Sequence, residues 1–301
     1  MKRVVSISIG SSKRDKAVEI DLLGEKVRME RIGTDGDMEA AALKYQELDG
    51  VVDAFGVGGA DLGLMVDHTW YPLYSVRPMV RYVKKTPLVD GLGLKNTLEN
   101  KSAALLEEKI GDYIQGLGKT VFIVSGADRW GMSSGFLNAG YQCTFGDMMF
   151  GLGMPIPLHT AGQLKTLAAI LLPAVGRVPF SWVYPTGEKQ EARVPKYQKY
   201  YHWATVTAGD CHYVKRHMPD DMHGKVIVTN TTTTEDTTLF KQCGVKYLVT
   251  TTPVLDGRSF GTNMMEAAMV AVSGKGRPLT QAEYEELLTK LNFKPELQTL
   301  N

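Results

Sequence analysis

The chain has little of what marks several protein classes. Its 301 residues include three cysteines, Cys143, Cys211 and Cys243. The number is odd and no C-x-x-C pair occurs, which argues against a disulfide framework or a cysteine zinc site and makes reduced thiols in a cytoplasm the expectation. H-E-x-x-H and C-x-x-C-H strings are also missing, so zincin chemistry and covalent haem attachment are not indicated. Charge of one sign is lacking too. Lys plus Arg number 34 against 33 Asp plus Glu, a net of +1, and no global field steers the chain to nucleic acid or an anionic membrane. The most apolar stretch, Leu164–Val175, is too short to span a bilayer and contains Pro173. The opening MKRVVSISIG has no long apolar core and reads as a first strand, not a signal peptide. A cytoplasmic protein with a small-molecule or cofactor ligand is expected, with no nucleic-acid or membrane partner; a homodimer is compatible with this reading.

What is present is an ordinary globular balance, 44% apolar and 22% charged residues, over a length suited to two domains. The expected fold class is α/β: a mixed α/β domain over 1–117 and a Rossmann-like parallel-sheet domain over 118–301 with closing C-terminal helices. In the first half, RVVSISI and AVEIDLL flank a polar turn and suggest a hairpin, with VRMERIG as a third strand. Asp37 is placed to cap the helix MEAAALKYQEL, and LGLMVD with HTWYPLY suggests a second hairpin. In the second half, TVFIVSG, YQCTFGD, WATVTAGD, KVIVTNT and KYLVTTT are short β-rich runs, most of them separated by helical stretches. That alternation implies right-handed crossovers and a parallel sheet, with ligands beyond the carboxyl ends of the strands. Fourteen methionines suit either core gap-filling or an adaptable pocket for a large apolar ligand.

The stretch from Thr120 to Asp147 resembles the first half of a nucleotide-binding unit. Asp147 lies 21 residues after Gly126, near the offset of a carboxylate that holds a ribose hydroxyl. The glycine fingerprint is irregular, however. Gly126, Gly131 and Gly135 are its glycines, and bulky Arg129 and Trp130 stand where the second glycine is needed for a pyrophosphate to reach the backbone. A structural turn that binds no dinucleotide explains this at least as well. Arg129 could instead pair with an anion, and Trp130 could stack on a flat ligand.

Other candidates lie beside strand ends. Asn230 and Thr231 open the run Asn230–Thr234, whose hydroxyls could hold an anion, although plain capping by Thr233 or Thr234 is favoured. Arg258, with Ser259, Gly261, Thr262 and Asn263, precedes the last apolar helix as a better anion site. Lys95 and Asp90 could relay a proton in dehydrogenase chemistry, against the blander expectation of a solvated lysine. Cys211 and His212 follow a strand end, where either could ligate haem iron or a corrinoid metal.

The strings GADRWGMSSGFLNAGYQCTFGDMMFGLGMPIPL, FSWVYPTGEKQE and VTNTTTTEDTTLFKQCGVKYLVTTTPVLDGRSFGTNMMEAA resemble a bacterial family frequent in anaerobes and thermophiles. Its members often carry the automatic label quinate 5-dehydrogenase. The resemblance implies NAD-dependent dehydrogenation of a small polyhydroxy acid, with NAD on the Gly126–Gly135 loop, Asp147 on its ribose, and Lys95 with Asp90 handling the proton. Such proteins are also associated with tetrapyrrole binding. On that reading, which the missing fingerprint places ahead, a haem or other tetrapyrrole lies in the interdomain cleft. His212 or Cys211 would ligate its metal, and Arg129 and Arg258 would pair with propionates.

Overall fold

The structure, a computed structural model, describes residues 1–179, 193–252, 254–255 and 258–301, and of 254–255 and 258–259 the backbone alone. The string FSWVYPTGEKQE and the Arg258 side chain therefore lie outside the described residues.

The first half contains β1 (Lys2–Ser8), β2 (Lys16–Leu22), β3 (Glu25–Gly33), α1 (Met38–Leu48), β4 (Ala54–Gly58), the hairpin β5 (Gly63–Val66) and β6 (Thr69–Pro72), α2 (Arg77–Val80) and β7 (Leu88–Val89). Its main sheet runs β2-β3-β1-β4-β7, parallel except for the antiparallel pair β2–β3. The expected β1–β2 hairpin is not formed. β1 is buried along most of its length and needs a partner on each edge, which β3 and β4 supply in parallel. β2 alternates exposed and buried residues and pairs with β3 through Leu23–Gly24. Both turn residues have positive φ, 54° and 80°, the geometry that matches a two-residue hairpin to strand twist. The Asp37 cap and the β5–β6 hairpin are as expected: Asp37 accepts the Ala40 N–H at 2.9 Å.

Next come α3 (Leu92–Thr97) and α4 (Ser102–Gly116), then β8 (Thr120–Ile123), α5 (Trp130–Asn138), β9 (Gln142–Phe145), α6 (Asp147–Gly151), α7 (Ala161–Val175), α8 (Gln198–Trp203), β10 (Val206–Ala208), α9 (Cys211–His217), β11 (Val226–Thr229), α10 (Thr234–Gln242) and β12 (Tyr247–Thr250). A two-stranded ribbon, β13 (Val254–Leu255) with β14 (Arg258–Ser259), leads to α11 (Thr262–Ser273), α12 (Gln281–Lys290) and β15 (Glu296–Thr299). The second sheet is β9-β8-β10-β11-β12-β15, parallel except for β15. β9 and β10 lie on opposite sides of β8, so the strand order reverses there, the switch point of a Rossmann-like sheet. All five expected strands of this half are present.

Both sheets are covered on both faces. Val5, Ile7, Phe55 and Val57 pack under α1 and α2, and Val4, Val27, Met29 and Ala54 pack under α11 and α12. In the second sheet Val121, Ile123, Val206 and Val228 face α4 and α5, and Phe122, Ile227 and Leu248 face α8 to α10. Coverage thus crosses the expected boundary. α4, assigned by sequence to the first domain, covers the second sheet, and the closing helices cover the first. Among the described residues no helix is long and apolar enough to cross a membrane.

Candidate functional site

A cleft of about 630 Å³ lies between the carboxyl ends of the two sheets. Ser8 at the end of β1, Gly58 at the end of β4 and Asp90 after β7 line one side; Ser125 after β8, Asp210 after β10 and Asn230 after β11 line the other. Of the sequence candidates, Lys95, Asp90, Arg129, Asn230, Thr231 and His212 fall in this lining; Gly126, Gly131, Trp130, Asp147 and Cys211 do not.

The cleft floor is a network of buried charges. Lys95 on α3 is 6% exposed, and its ammonium donates to Asp61 Oδ1 at 2.7 Å and Asp128 Oδ1 at 3.1 Å. Burial opposes its charge, but Asp128 and Asp61 outweigh that and raise its pKa above the usual lysine range. The reverse attraction lowers Asp128 despite its burial. Asp90 is not the direct partner of Lys95. It accepts the Leu62 N–H at 2.7 Å and the Leu92 N–H at 3.1 Å, and burial together with repulsion from Asp61 raises its pKa to about 6. The lysine is thus no solvated surface residue; Asp61 and Asp128 are its true partners and were missed. Their signal was readable. Val57-Gly58-Gly59-Ala60-Asp61 and Val124-Ser125-Gly126-Ala127-Asp128 repeat one Val-x-Gly-Ala-Asp pattern at a strand end in each half.

Arg129 lies among three carboxylates. Its guanidinium donates to buried Glu99 and to Asp210 Oδ2 at 2.8 Å, and its Nε lies 3.6 Å from Asp128 Oδ2. Asp210 also accepts the Asn230 side-chain amide at 2.9 Å and, as N-cap of α9, the His212 N–H at 3.0 Å. Asn230 Oδ1 in turn accepts the Cys211 N–H at 3.2 Å. Arg129 and Asn230 therefore join strand ends, and Arg129, expected as a partner for a propionate, has three carboxylates beside it. Thr233 caps α10 in a reciprocal pair with Asp236, the favoured reading of the threonine run.

The glycine loop does not fit a dinucleotide held in the usual way. Asp147 accepts the N–H groups of Gly126 and Ala127, both at 2.9 Å, so its carboxylate closes the loop, and it does not line the cleft. Burial raises its pKa to about 6. A Cβ on Gly131 would stand 2.0 Å from the Lys95 carbonyl oxygen, and one on Gly135 2.4 Å from that of Asn100. These glycines let α5 lie against the chain at 95–100; they do not cradle phosphate. Trp130 packs beside Val66, Ala168 and Leu172, with the Lys165 ammonium 5.7 Å from its ring centre.

The two residues expected to ligate a tetrapyrrole metal are divided between core and cleft. Cys211 is 3% exposed within the core under α9, and burial pushes its thiol pKa up, away from the thiolate a metal needs. His212 is exposed and does reach the cleft. No group of three or more His, Cys, Asp or Glu among the described residues could hold a metal ion.

Fold and site together define a two-sheet α/β protein with a charged cleft between the carboxyl ends of its sheets. The chain belongs to the family described as Domain of unknown function (DUF8754), matched over residues 93–300, and residues 3–90 match Domain of unknown function (DUF8753). No curated protein matches. Solved structures similar to it include a protein from Mycobacterium smegmatis, at 12% identity and a TM-score of 0.32, covering 97% of this chain and 95% of that one. Another is a dipicolinate synthase subunit from Bacillus halodurans, at 13% identity and a TM-score of 0.27, covering 96% and 97%.

Proposed function

We propose that this protein is an enzyme that moves protons on a small, hydroxylated molecule held in the cleft, with Asp90 as proton acceptor and the Lys95 ammonium as a fixed hydrogen-bond donor to the oxygen that gains charge. The observation that carries the reading is the buried Lys95 ammonium, anchored by Asp61 and Asp128 in the cleft floor. An ammonium has three N–H groups, and those two bonds leave one for a ligand oxygen. Held protonated, Lys95 would polarise a carbonyl or stabilise an alkoxide from a buried position in the cleft floor. Asp90, with a pKa of about 6, is ionised at neutral pH yet basic enough to take a proton. This agrees with the proton-handling half of the chemistry that the resemblance to quinate dehydrogenases implies, with a polyhydroxy acid as substrate. It needs no NAD on the Gly126–Gly135 loop.

The tetrapyrrole reading keeps one observation in its favour, the position of His212 in the cleft lining. It has against it the enclosed Cys211 and the charged groups of Asp61, Asp90 and Asp128 at the cleft floor. Two measurements separate the readings. In deuterated water, NMR of a panel of small hydroxy and keto acids should show protein-dependent C–H exchange, slowed on the order of 10²–10⁴-fold in Lys95→Met and Asp90→Asn. Exchange that ignores both substitutions would defeat the proposal. So would a Soret band in chain purified without added cofactor that disappears in His212→Ala.

A further inference from the structure

On the first-sheet wall of the cleft, away from Lys95, two guanidinium groups converge. Arg14 and Arg31 both line the cleft, and both reach towards Gly10. A Cβ placed there would meet Arg14 Nη2 at 2.8 Å, Arg31 Nη2 at 3.2 Å and Ser8 Oγ at 3.3 Å. The two nitrogens therefore lie within about 6 Å of each other, where like charges repel appreciably. Arg31 has a carboxylate partner, Asp15, at 2.7 Å, and also donates to the Ser11 carbonyl and Ser8 Oγ. No carboxylate among the described residues forms an ion pair with Arg14. Burial and then the neighbouring Arg14 lower the pKa of Arg31, against the pull of Asp15 and Asp35.

Ser8 adds a second, independent pointer. It is 4% exposed, and its Oγ accepts the Gly10 N–H at 3.1 Å and the Arg31 guanidinium at 3.0 Å. Among the described residues no acceptor is bonded to its own O–H. That proton is left to donate to a ligand in the cleft that Ser8 lines.

We propose that Arg14, Arg31 and Ser8 form a phosphoryl-binding subsite. A carboxylate is planar and singly charged, and one guanidinium satisfies it; two guanidinia and a hydroxyl converging from different directions suit a tetrahedral dianion with more acceptor sites. The missing side chain at Gly10 lets both guanidinium groups pack close to its backbone at the cleft wall. The inference goes beyond the acid–base reading, because it gives the cleft molecule a phosphate group held apart from the Lys95 end. Free phosphate and a phosphate ester share this chemistry.

The test is a calorimetric titration of the full chain with inorganic phosphate at constant ionic strength, with acetate as the carboxylate comparison. Saturable phosphate binding is expected, weakened by about tenfold or more in Arg14→Gln. Arg28→Gln, which removes an exposed guanidinium paired with Glu30 and Glu19, should leave it unchanged. Glycerol 3-phosphate binding more tightly than phosphate would mark an ester as the source, and equal binding would mark the free ion. Either supports the subsite. Three results would overturn it: no saturable binding, equal binding in Arg14→Gln, or acetate binding as well as phosphate. No turnover is measured, so failure here is distinct from failure of the acid–base reading.

Discussion

Consider the replacement of Arg129 by methionine. The arginine is 4% exposed, and its guanidinium faces Glu99, itself 1% exposed, Asp210 and Asp128. Methionine keeps much of the apolar stem and removes the charge. Breaking a buried ion pair by deleting one partner costs about 3–5 kcal/mol, because the other charge is left uncompensated. Two features place the loss at the lower end. Burial already raises the pKa of Glu99, so without Arg129 it can take up a proton, and Asp210 keeps its bonds to Asn230 and the His212 N–H. A loss of about 3 kcal/mol, at an unfolding entropy of roughly 2.1 cal/mol/K per residue, lowers the melting temperature by about 5 °C. Urea unfolding at pH 7, followed by circular dichroism, measures it directly, with exposed Arg28→Met as a control expected to change stability by less than about 0.5 kcal/mol. In a Glu99→Gln background the same substitution should cost less, since the two sites share one interaction. If Arg129→Met unfolds within about 1 kcal/mol of the parent, the guanidinium is not a structural junction, and its expected role as a partner for a ligand anion returns.

Two further outcomes follow from the packing and from the buried acids. Gly131→Ala puts a methyl group against the Lys95 carbonyl oxygen, so α5 must back away from α3. A cost of about 1–3 kcal/mol or more is expected, visible as a lower melting temperature in calorimetry; an unchanged value would mean the glycine has no packing role. Glu266 on α11 is 3% exposed and accepts from Tyr284 and Gly93, and burial with repulsion from Asp90 raises its pKa to about 8. A carboxyl raised in the folded state favours the folded chain while protonated, so its contribution is full below about pH 4.5 and is lost as pH climbs through 8. Asp90 and Asp147, both near 6, produce their losses at lower pH. Between pH 7 and 8, below the range where the burial-raised thiols of Cys143, Cys211 and Cys243 add their own loss, the fall belongs to Glu266, and Glu266→Gln should flatten the fall in the urea midpoint there. An equally steep fall in the variant would assign the effect to another group.

The second sheet was readable in the sequence because each strand is a short apolar run closed by Gly, Asp, Asn or Thr, and local patterning decides such elements. Pairing in the first sheet was not readable. Whether Val4 and Ile7 neighbour β2 or β3 depends on how many edges β1 must satisfy, which is a long-range matter. Site residues divide the same way. Lys95, Asp90, Asn230, Thr231 and His212 were found because they stand near strand ends or helix starts, and the fold brings those places together. The purpose of Gly126 and Gly131 could not be read, since a small residue serves equally well where a phosphate approaches and where another backbone does. Cys211 looked available because its string is polar; its burial comes from α10 and β12, distant in sequence. Asp61 and Asp128 were visible only by comparing the two halves with each other.

The crossed coverage of the sheets bears on how the polypeptide is made. While the ribosome has released only the first ninety or so residues, Val4, Ile20, Val27, Met29 and Ala54 form one face of a sheet whose lid, Met264–Ala271 and beyond, is still unsynthesised. The segment matched at 3–90 thus shares its core with residues from the segment matched at 93–300. Vectorial synthesis leaves the first sheet apolar on one side until Met264–Ala271 has followed it, and a chain released before that would offer that side to aggregation or to a chaperone.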